Sequence, residues 1–483
     1  MVPISDAQTF ECFGGHLIMR FIALRQFLIT AKAVSELRRN QRLSRPQLEA
    51  IKLRKFRRLV AHAARHSQYY AKIIRDGGIS IESCTPDQFP VLTKTDLMEN
   101  FDRISTDPRV SKGAIKSFLS HSTDPNERFL GEYQVLQSSE SSGNVGYFVF
   151  SVGDWARAMA QVLRTPTRSK LFKRTRAANF LAVGGHYGSV SMTKHWMRGH
   201  RKYFVDQLLL EINSPLSDVI DKLNAHQPHR LNGYASALKL LAAKQREGVL
   251  RIAPKIIQIG AEPASASDIA ELKAAFGADI FNLYGSSEHL LMGISKDPAA
   301  GMTLFDDELI YEMHEDHIVV TNLFNFTVPL IRYRMSDILR PMSTASSKLP
   351  YLKIESVVGR SEIVPLFVND DGDTDYLSPH VVVDIFVPGV RRFQLHWLGP
   401  TSFRFVACLD TGLTPAQRQG CVMGLEQQLQ AMLDVKRMRN VKFDVELVED
   451  LPVNTKSRKF QLIVDRRSSA NGILERHAQQ STG

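Results

Sequence analysis

Residues 278–288 read Ala-Asp-Ile-Phe-Asn-Leu-Tyr-Gly-Ser-Ser-Glu and end in Tyr284-Gly285-Ser286-Ser287-Glu288. Residues 279–283 have the apolar, β-leaning character of a buried strand. The run breaks at Gly285 into small hydroxyl side chains and a carboxylate. Upstream lies Gly260-Ala261-Glu262-Pro263, and downstream Arg332-Tyr333-Arg334-Met335-Ser336-Asp337. A ring, a hydroxyl pair and a Glu at the mouth of a strand offer a stacking face, hydrogen bonds and an oxygen ligand for Mg²⁺, which suits a nucleotide. Taken alone, the five residues read more simply as a strand-to-loop turn with a solvated Glu, because short motifs recur by chance.

The flanking chain alternates between strands and helices. Residues 255–259 form a strand running into Gly260, Ser267 caps a helix to Phe276, and Gly277 ends that helix before the quoted strand. Further upstream, 178–183 is a buried strand ending in Gly184-Gly185-His186, 203–210 adds a strand, and 215–225 reads as a helix. Residues 229–233 are short and extended, and 235–247 is a helix stopped by Gly248. Residues 147–151 make a strand followed by a helix over 154–163. Alternation at this spacing predicts a mostly parallel sheet with helices on its faces. Ligands of such sheets bind beyond the carboxyl ends of the strands, where the loops after residues 183, 259 and 283 all lie.

After residue 308 the pattern changes to strands without helices between them: 309–313, 317–322, 330–334 and 353–358. Gly359-Arg360-Ser361-Glu362 reads as a joint. Beyond it come strands at 381–386, 392–396 and 402–408, a long helix over 414–433 with Thr414 as N-cap and Pro415 first, and a strand at 441–448. The fold class expected is α/β. A large N-terminal domain would have mostly parallel sheets flanked by helices plus a strand-rich subdomain, and a small mobile α+β C-terminal domain would have a split-βαβ style. The segments are 1–80, helical and packed on the large domain; 81–360, the large domain; 361–467, a small lid domain; and 468–483, a polar tail expected to be disordered.

Composition bounds the rest. A chain of 483 residues, 43% hydrophobic and 23% charged, is that of an ordinary globular protein with more than one domain. Cys12, Cys84, Cys408 and Cys421 have no zinc or disulfide spacing and fit a reducing, cytoplasmic setting. Much of the +11 net charge sits early, in Arg38, Arg39, Arg42, Arg45, Lys52, Arg54, Lys55, Arg57 and Arg58. A patch for nucleic acid or anionic lipid is one reading. Without an accompanying nucleic-acid motif, a solvated helix face is the better one. The apolar run 17–31 is interrupted by Arg20 and Arg25, is too short to span a bilayer and lacks signal-peptide form. It reads as an amphipathic helix packed on the body rather than resting on a membrane. Residues 53–74 read as an amphipathic helix or helix pair, and Thr93 as the N-cap of a helix starting near Lys94.

Residues 138–146, Ser-Ser-Glu-Ser-Ser-Gly-Asn-Val-Gly, form a loop able to turn N–H groups and hydroxyls toward phosphate oxygens. No Gly-Lys-Ser/Thr closes it, so it is not a Walker A loop. Together with RHSQYY, LTKTDL, GAEP, YGSSE, VPLIRYRMSD, VGRSE and a C-terminal basic segment, it resembles the adenylate-forming (acyl-CoA synthetase-like) superfamily. The nearest branch is the phenylacetate–CoA ligase-like proteins, including homologues linked to capsular polysaccharide synthesis. The resemblance covers about residues 53–467.

What the resemblance implies is an ATP-dependent, AMP-producing ligase. It would activate a small organic, possibly aryl, carboxylic acid and pass the acyl group to coenzyme A or another acceptor, with Mg²⁺ as metal. Ser139, Ser141, Ser142 and Gly143 would lie near the ATP phosphates. Gly260, Ala261, Glu262 and Pro263 would wall the adenine pocket. Tyr284 would stack on adenine beside Gly285 and Ser286, and Glu288 would hold Mg²⁺. Asp337 would accept from the ribose hydroxyls, Arg360 would sit near the ribose, and Glu362 would fall at the pivot. His186 would lie beside the acyl pocket. Lys459, chosen over Lys456 and Arg458 because Lys459-Phe460 best matches the family's Gly-Lys-Phe, would offset charge developing at the α-phosphorus. Rotation about the joint would serve two half-reactions. No nucleic acid and no transmembrane segment are expected, and a homodimer is left open. Two positions depart from the family: Glu140 replaces the first loop glycine, and Arg458 the glycine before the lysine. They motivate the alternative reading, a catalytically weakened homologue that binds nucleotide or acyl ligand as a scaffold or regulator.

Overall fold

The computed structural model describes residues 24–138, 145–165, 174–197, 205–343, 349–358, 363–451 and 461–467. The chain divides into two compact units. The first comprises Met1–Gln137, Gly146–Phe172 and Leu283–Val358, the second Ser138–Val145, Lys173–Asn282 and Gly359–Gly483. The architecture is α/β, as expected, with a parallel sheet flanked by helices and strand-rich antiparallel regions.

In the second unit, Ile256–Ile259, Arg230–Gly233, Thr175–Leu181 and Val205–Glu211 lie side by side and parallel. Asp279 to Asn282 continues the sheet beside Ile256–Ile259. Ile256–Ile259 is buried at every position, as a strand covered on both faces must be. Leu223, Leu238 and Leu272, from the helices Leu216–His226, Ala235–Arg246 and Ala266–Phe276, join Phe180 and Ile257 in its core. Gly277 ends the last helix at φ 62°, as predicted. The cap at its start is Ser265, not Ser267: Ser265 and Asp268 form a reciprocal capping box, and Ser267 already lies in the first turn.

Beyond residue 362, Val390–Gly399 and Ser402–Leu409 form an antiparallel hairpin. Lys442–Leu447 and Ile463–Asp465 flank it in parallel, and Pro415–Val435, capped by Thr414 as read, packs on the sheet. The strand expected at 381–386 is absent. Pro379–Val382 is instead a short helix with Ser378 as cap and Pro379 at its first position, a start signal that overrides the β-branched Val-Val-Val run. Two short strands, Leu366–Val368 and Thr374–Tyr376, precede it. This segment is tied to the parallel sheet. Tyr376 enters the sheet's core, and the buried Lys436 ammonium lies 2.7 Å from Asp375 and 2.9 Å from the Ser214 carbonyl.

In the first unit, the helix pair is Arg45–His66 and Gln68–Asp76, divided at Ser67. Leu309–Met313, Ile318–Asn322 and Tyr333–Met335 make an antiparallel sheet. The early basic residues have a use that neither sequence reading foresaw. Asp306, Asp307 and Glu308 are fully buried. Arg45 (2.5 Å) and Lys52 (3.5 Å) face Asp306, Arg164 (2.5 Å) faces Asp307, and Lys55 (2.6 Å) and Arg157 (2.9 Å) face Glu308. Lys52 is 4% exposed, so at Arg45, Lys52 and Lys55 the solvated-face reading is corrected to internal charge neutralisation. Among the described residues no helix is long and apolar enough to cross a membrane.

Candidate active site

The strand Asp279–Ser286 does not break at Gly285 but continues through it. A Cβ at Gly285 would come within 2.6 Å of the Leu290 carbonyl oxygen, so glycine here permits close approach of the following chain. Tyr284 is 7% exposed, and its hydroxyl donates to Asp337 Oδ2 at 2.8 Å. Two of the predicted residues therefore meet within the first unit. Burial, then the Asp337 charge, pushes the Tyr284 hydroxyl well up. Ser287 Oγ donates to the Gln137 carbonyl at 3.1 Å, and Ser286 Oγ accepts from the His289 amide at 3.2 Å. Both bonds fix the loop that carries Glu288.

Burial pushes the Glu288 carboxyl up, and the nearby Lys94 ammonium partly offsets this. Lys94 was quoted within LTKTDL but read only as a helix start. It opens the helix Lys94–Glu99 behind Thr93, and Leu92 beside it is stitched to the Tyr333 strand: its amide donates to the Arg332 carbonyl and its carbonyl accepts from the Arg334 amide, both at 2.9 Å. The available signal was electrostatic, since a lysine at a helix N-terminus opposes the macrodipole. The loops around these residues hold uncommon backbone, with Leu290 at φ 59° and Arg332 at φ 54°. Directly behind Glu288, His289 is wholly buried, and burial drives its imidazole down to about 3.

The second unit carries Gly260, Ala261, Glu262 and Pro263 at the end of its Ile256–Ile259 strand. Ala261 sits at φ 61°. Glu262 accepts from the Ser236 amide (2.8 Å) and hydroxyl (2.9 Å). His186 is 1% exposed after the Thr175–Leu181 strand, and the adjacent Tyr187 donates to Asp384 at 2.7 Å. Ser139, Glu140, Ser141, Ser142, Gly143, Arg360, Glu362, Arg458 and Lys459 lie outside the described residues.

No family model matches the chain. Over 327 residues it is 21% identical to Protein CapK of Staphylococcus aureus, covering 64% of this chain and 66% of CapK, just under two thirds of that protein. Over 352 residues it is 22% identical to phenylacetate-coenzyme A ligase of Aromatoleum evansii, covering 67% of this chain and 72% of that one. Among solved structures it matches 2-hydroxyisobutyryl-CoA ligase in complex with 2-HIB-AMP and CoA in the thioesterification state. The TM-score is 0.56 and the identity 16%, over 91% of this chain and 94% of the other. The same ligase in the postadenylation state with R3-HIB-AMP gives a TM-score of 0.53 at 15% identity, over the same 91% and 94% of the two chains. The structural likeness is one of fold.

Proposed function

The chain resembles the adenylate-forming superfamily in its phenylacetate–CoA ligase-like branch, and on that premise we propose that it activates an organic acid at the expense of ATP. A carboxylate oxygen attacks the α-phosphorus, the bond to pyrophosphate breaks, and an acyl-adenylate forms. An acceptor, which we take to be coenzyme A, then receives the acyl group and AMP leaves. The acid we infer to be an aryl acid.

The observation that supports this reading best is the Tyr284–Asp337 hydrogen bond, which joins two motifs 53 residues apart in the chain. It holds the Asp337 carboxylate as an oriented acceptor for vicinal hydroxyls such as those of a ribose. Glu288 is the carboxylate for Mg²⁺. An ion brought by nucleotide phosphates needs only one or two protein carboxylates. Bound there, Mg²⁺ would offset phosphate charge. Lys94 contributes positive charge at Glu288, and Lys459 is assigned to the α-phosphate.

The test is exchange of labelled pyrophosphate into ATP across an acid panel that includes phenylacetate. Acid-dependent exchange is expected, and it should be lost in Lys459→Ala. ATP binding without exchange for any acid would overturn the proposal in favour of a nucleotide-binding scaffold.

A further inference from the structure

The early basic residues divide into two sets. Arg45, Lys52 and Lys55 face the buried acids at 306 and 308, whereas Arg25, Lys32, Arg38, Arg39 and Arg42 are exposed. Among the described residues no carboxylate pairs with any of these five. They belong to a helix over residues 24–40 and the turn that follows it. One face of the helix packs on the first unit. The Thr30 hydroxyl donates to the Ala156 carbonyl at 3.3 Å, Ala33 and Leu37 pack with Ala160, and Asn40 donates to Asp307 at 2.9 Å. Glu36, the only acid between residues 24 and 42, also turns inward, 3.0 Å from Lys55 and 2.8 Å from Arg157.

The opposite face carries Leu24, Phe27 and Leu28, which are 55%, 61% and 59% exposed. Ala31 and Ser35 continue it at the spacing of one helical stripe. Among the described residues no other three exposed large apolar side chains share one helical turn. An apolar stripe beside five unmatched cations narrows the occupant. A second copy would bring the same cations to the same face, so self-pairing sets like charges together. Nucleic acid would match the cations, but its phosphate and sugar surface has no use for a leucine, a phenylalanine and a second leucine in one turn. An anionic membrane surface serves both, with acyl chains for the apolar side chains and headgroup phosphates for the cations. Among the described residues no helix is long and apolar enough to cross a membrane, so this one would lie on it.

We infer that residues 24–42 form a membrane-contact surface that holds the protein on anionic lipid. The helix axis runs along the bilayer plane, with Leu24, Phe27 and Leu28 seated at the boundary of headgroups and acyl chains and the five cations on the headgroups. The inner face stays docked on the first unit throughout, so attachment needs no rearrangement. The attachment is independent of the activation proposed above.

The experiment is flotation of the full chain with vesicles of phosphatidylcholine, alone or with about one third phosphatidylglycerol. Binding should require the anionic lipid and weaken as salt rises. Arg38→Gln, Arg39→Gln and Arg42→Gln together should weaken it about 100-fold, at roughly fivefold for each cation. Leu24→Gln, Phe27→Gln and Leu28→Gln together should weaken it about tenfold or more. All six side chains are exposed, so thermal midpoints and vesicle-free pyrophosphate exchange should match the natural chain in both variants. In Phe27→Trp, the added indole emission should shift to shorter wavelength on the mixed vesicles and be quenched by lipid brominated in its acyl chains. No flotation with the mixed vesicles, or no quenching at position 27, would overturn the inference. Undiminished flotation of the apolar variant would reduce the surface to a general basic patch and overturn it as well. A dimer abolished by the apolar substitutions, without flotation, would give the face to a second copy, and tight binding to random DNA without flotation would give it to nucleic acid.

Discussion

Asp306, Asp307 and Glu308 on one side, and Glu288 with Asp337 on the other, are two acidic groups of the same unit treated in opposite ways. In the first, each carboxylate faces at least one guanidinium or ammonium within 2.5–2.9 Å. There Glu308 is raised by burial but carried well below its usual range by Lys55 and Arg157, and Glu36 is lowered by the same two cations. Asp306 is the exception, burial outweighing Lys52 and Arg45. In the second group the balance runs the other way. Burial raises Glu288, Asp337 adds to it, and Lys94 only partly compensates. Asp337 itself is oriented by a neutral hydroxyl. The contrast separates Glu308, matched by two cations, from Glu288, whose surroundings resist its charge and where a cationic ligand gains most by arriving.

The largest expected effect comes from removing a matched acid. Glu308→Gln leaves Lys55 and Arg157 facing a neutral group with Glu36 still shared between them, and should cost about 3 kcal/mol, the low end for a broken buried pair, read as a fall in the urea midpoint. Glu288→Gln replaces a carboxyl whose surroundings already resist its charge. It should change stability by about 1 kcal/mol or less, yet cut pyrophosphate exchange by roughly 100-fold. Equal destabilisation by the two substitutions would erase the distinction between the groups.

Acid should act on Glu308 of the first group and on His289, which follows Glu288 of the second. Between pH 6.5 and about 3 the unfolded chain protonates His289 while the folded chain does not. The unfolded state binds more protons there, so stability falls as pH drops through that window. Glu308 follows the same sign from its ordinary 4.5 downward, its folded form resisting protonation. Raised carboxyls such as Asp384, at about 6, Glu288 and Asp306 act with the opposite sign, so each contribution is read as the difference in urea midpoint between the natural chain and a variant, which should decline below pH 6.5 for His289 and below pH 4.5 for Glu308. His289→Asn should remove the upper contribution and leave the lower one in place.

The two groups also differ in how far the sequence discloses them. Tyr284, Glu288 and Asp337 stand in motifs, so their types and order pointed to a nucleotide, although only the fold brings Tyr284 to Asp337. The acids 306–308 look like ordinary loop residues, and nothing local joins them to Arg45, Lys52 and Lys55, some 250–260 residues earlier, or to Arg157 and Arg164. Long-range charge matching has no period or spacing to read. The parallel sheet was readable because apolar strands and capped helices are local signals, down to Thr93, Thr414 and Gly277. The helix Pro379–Val382 was not, because four residues are too few to show a period and the valines carried a β signal.

Lys94 gives the smallest effect and the finest discrimination. In the matched group, removing a cation strands a buried acid, so Lys55→Met should destabilise. Lys94 instead stands at the first position of a helix, where the dipole disfavours a positive charge, and the anion in its field already sits in a site that favours its neutral form. Lys94→Met should relieve the first term, worth about 0.3–1 kcal/mol, and return part of it through the lost attraction to Glu288. The net change should be under about 1 kcal/mol and of either sign, while the Glu288 carboxyl rises further and exchange slows. A loss of several kcal/mol at Lys94, as large as at Lys55, would place Glu288 among the structural acids and remove the reason to treat it as a site.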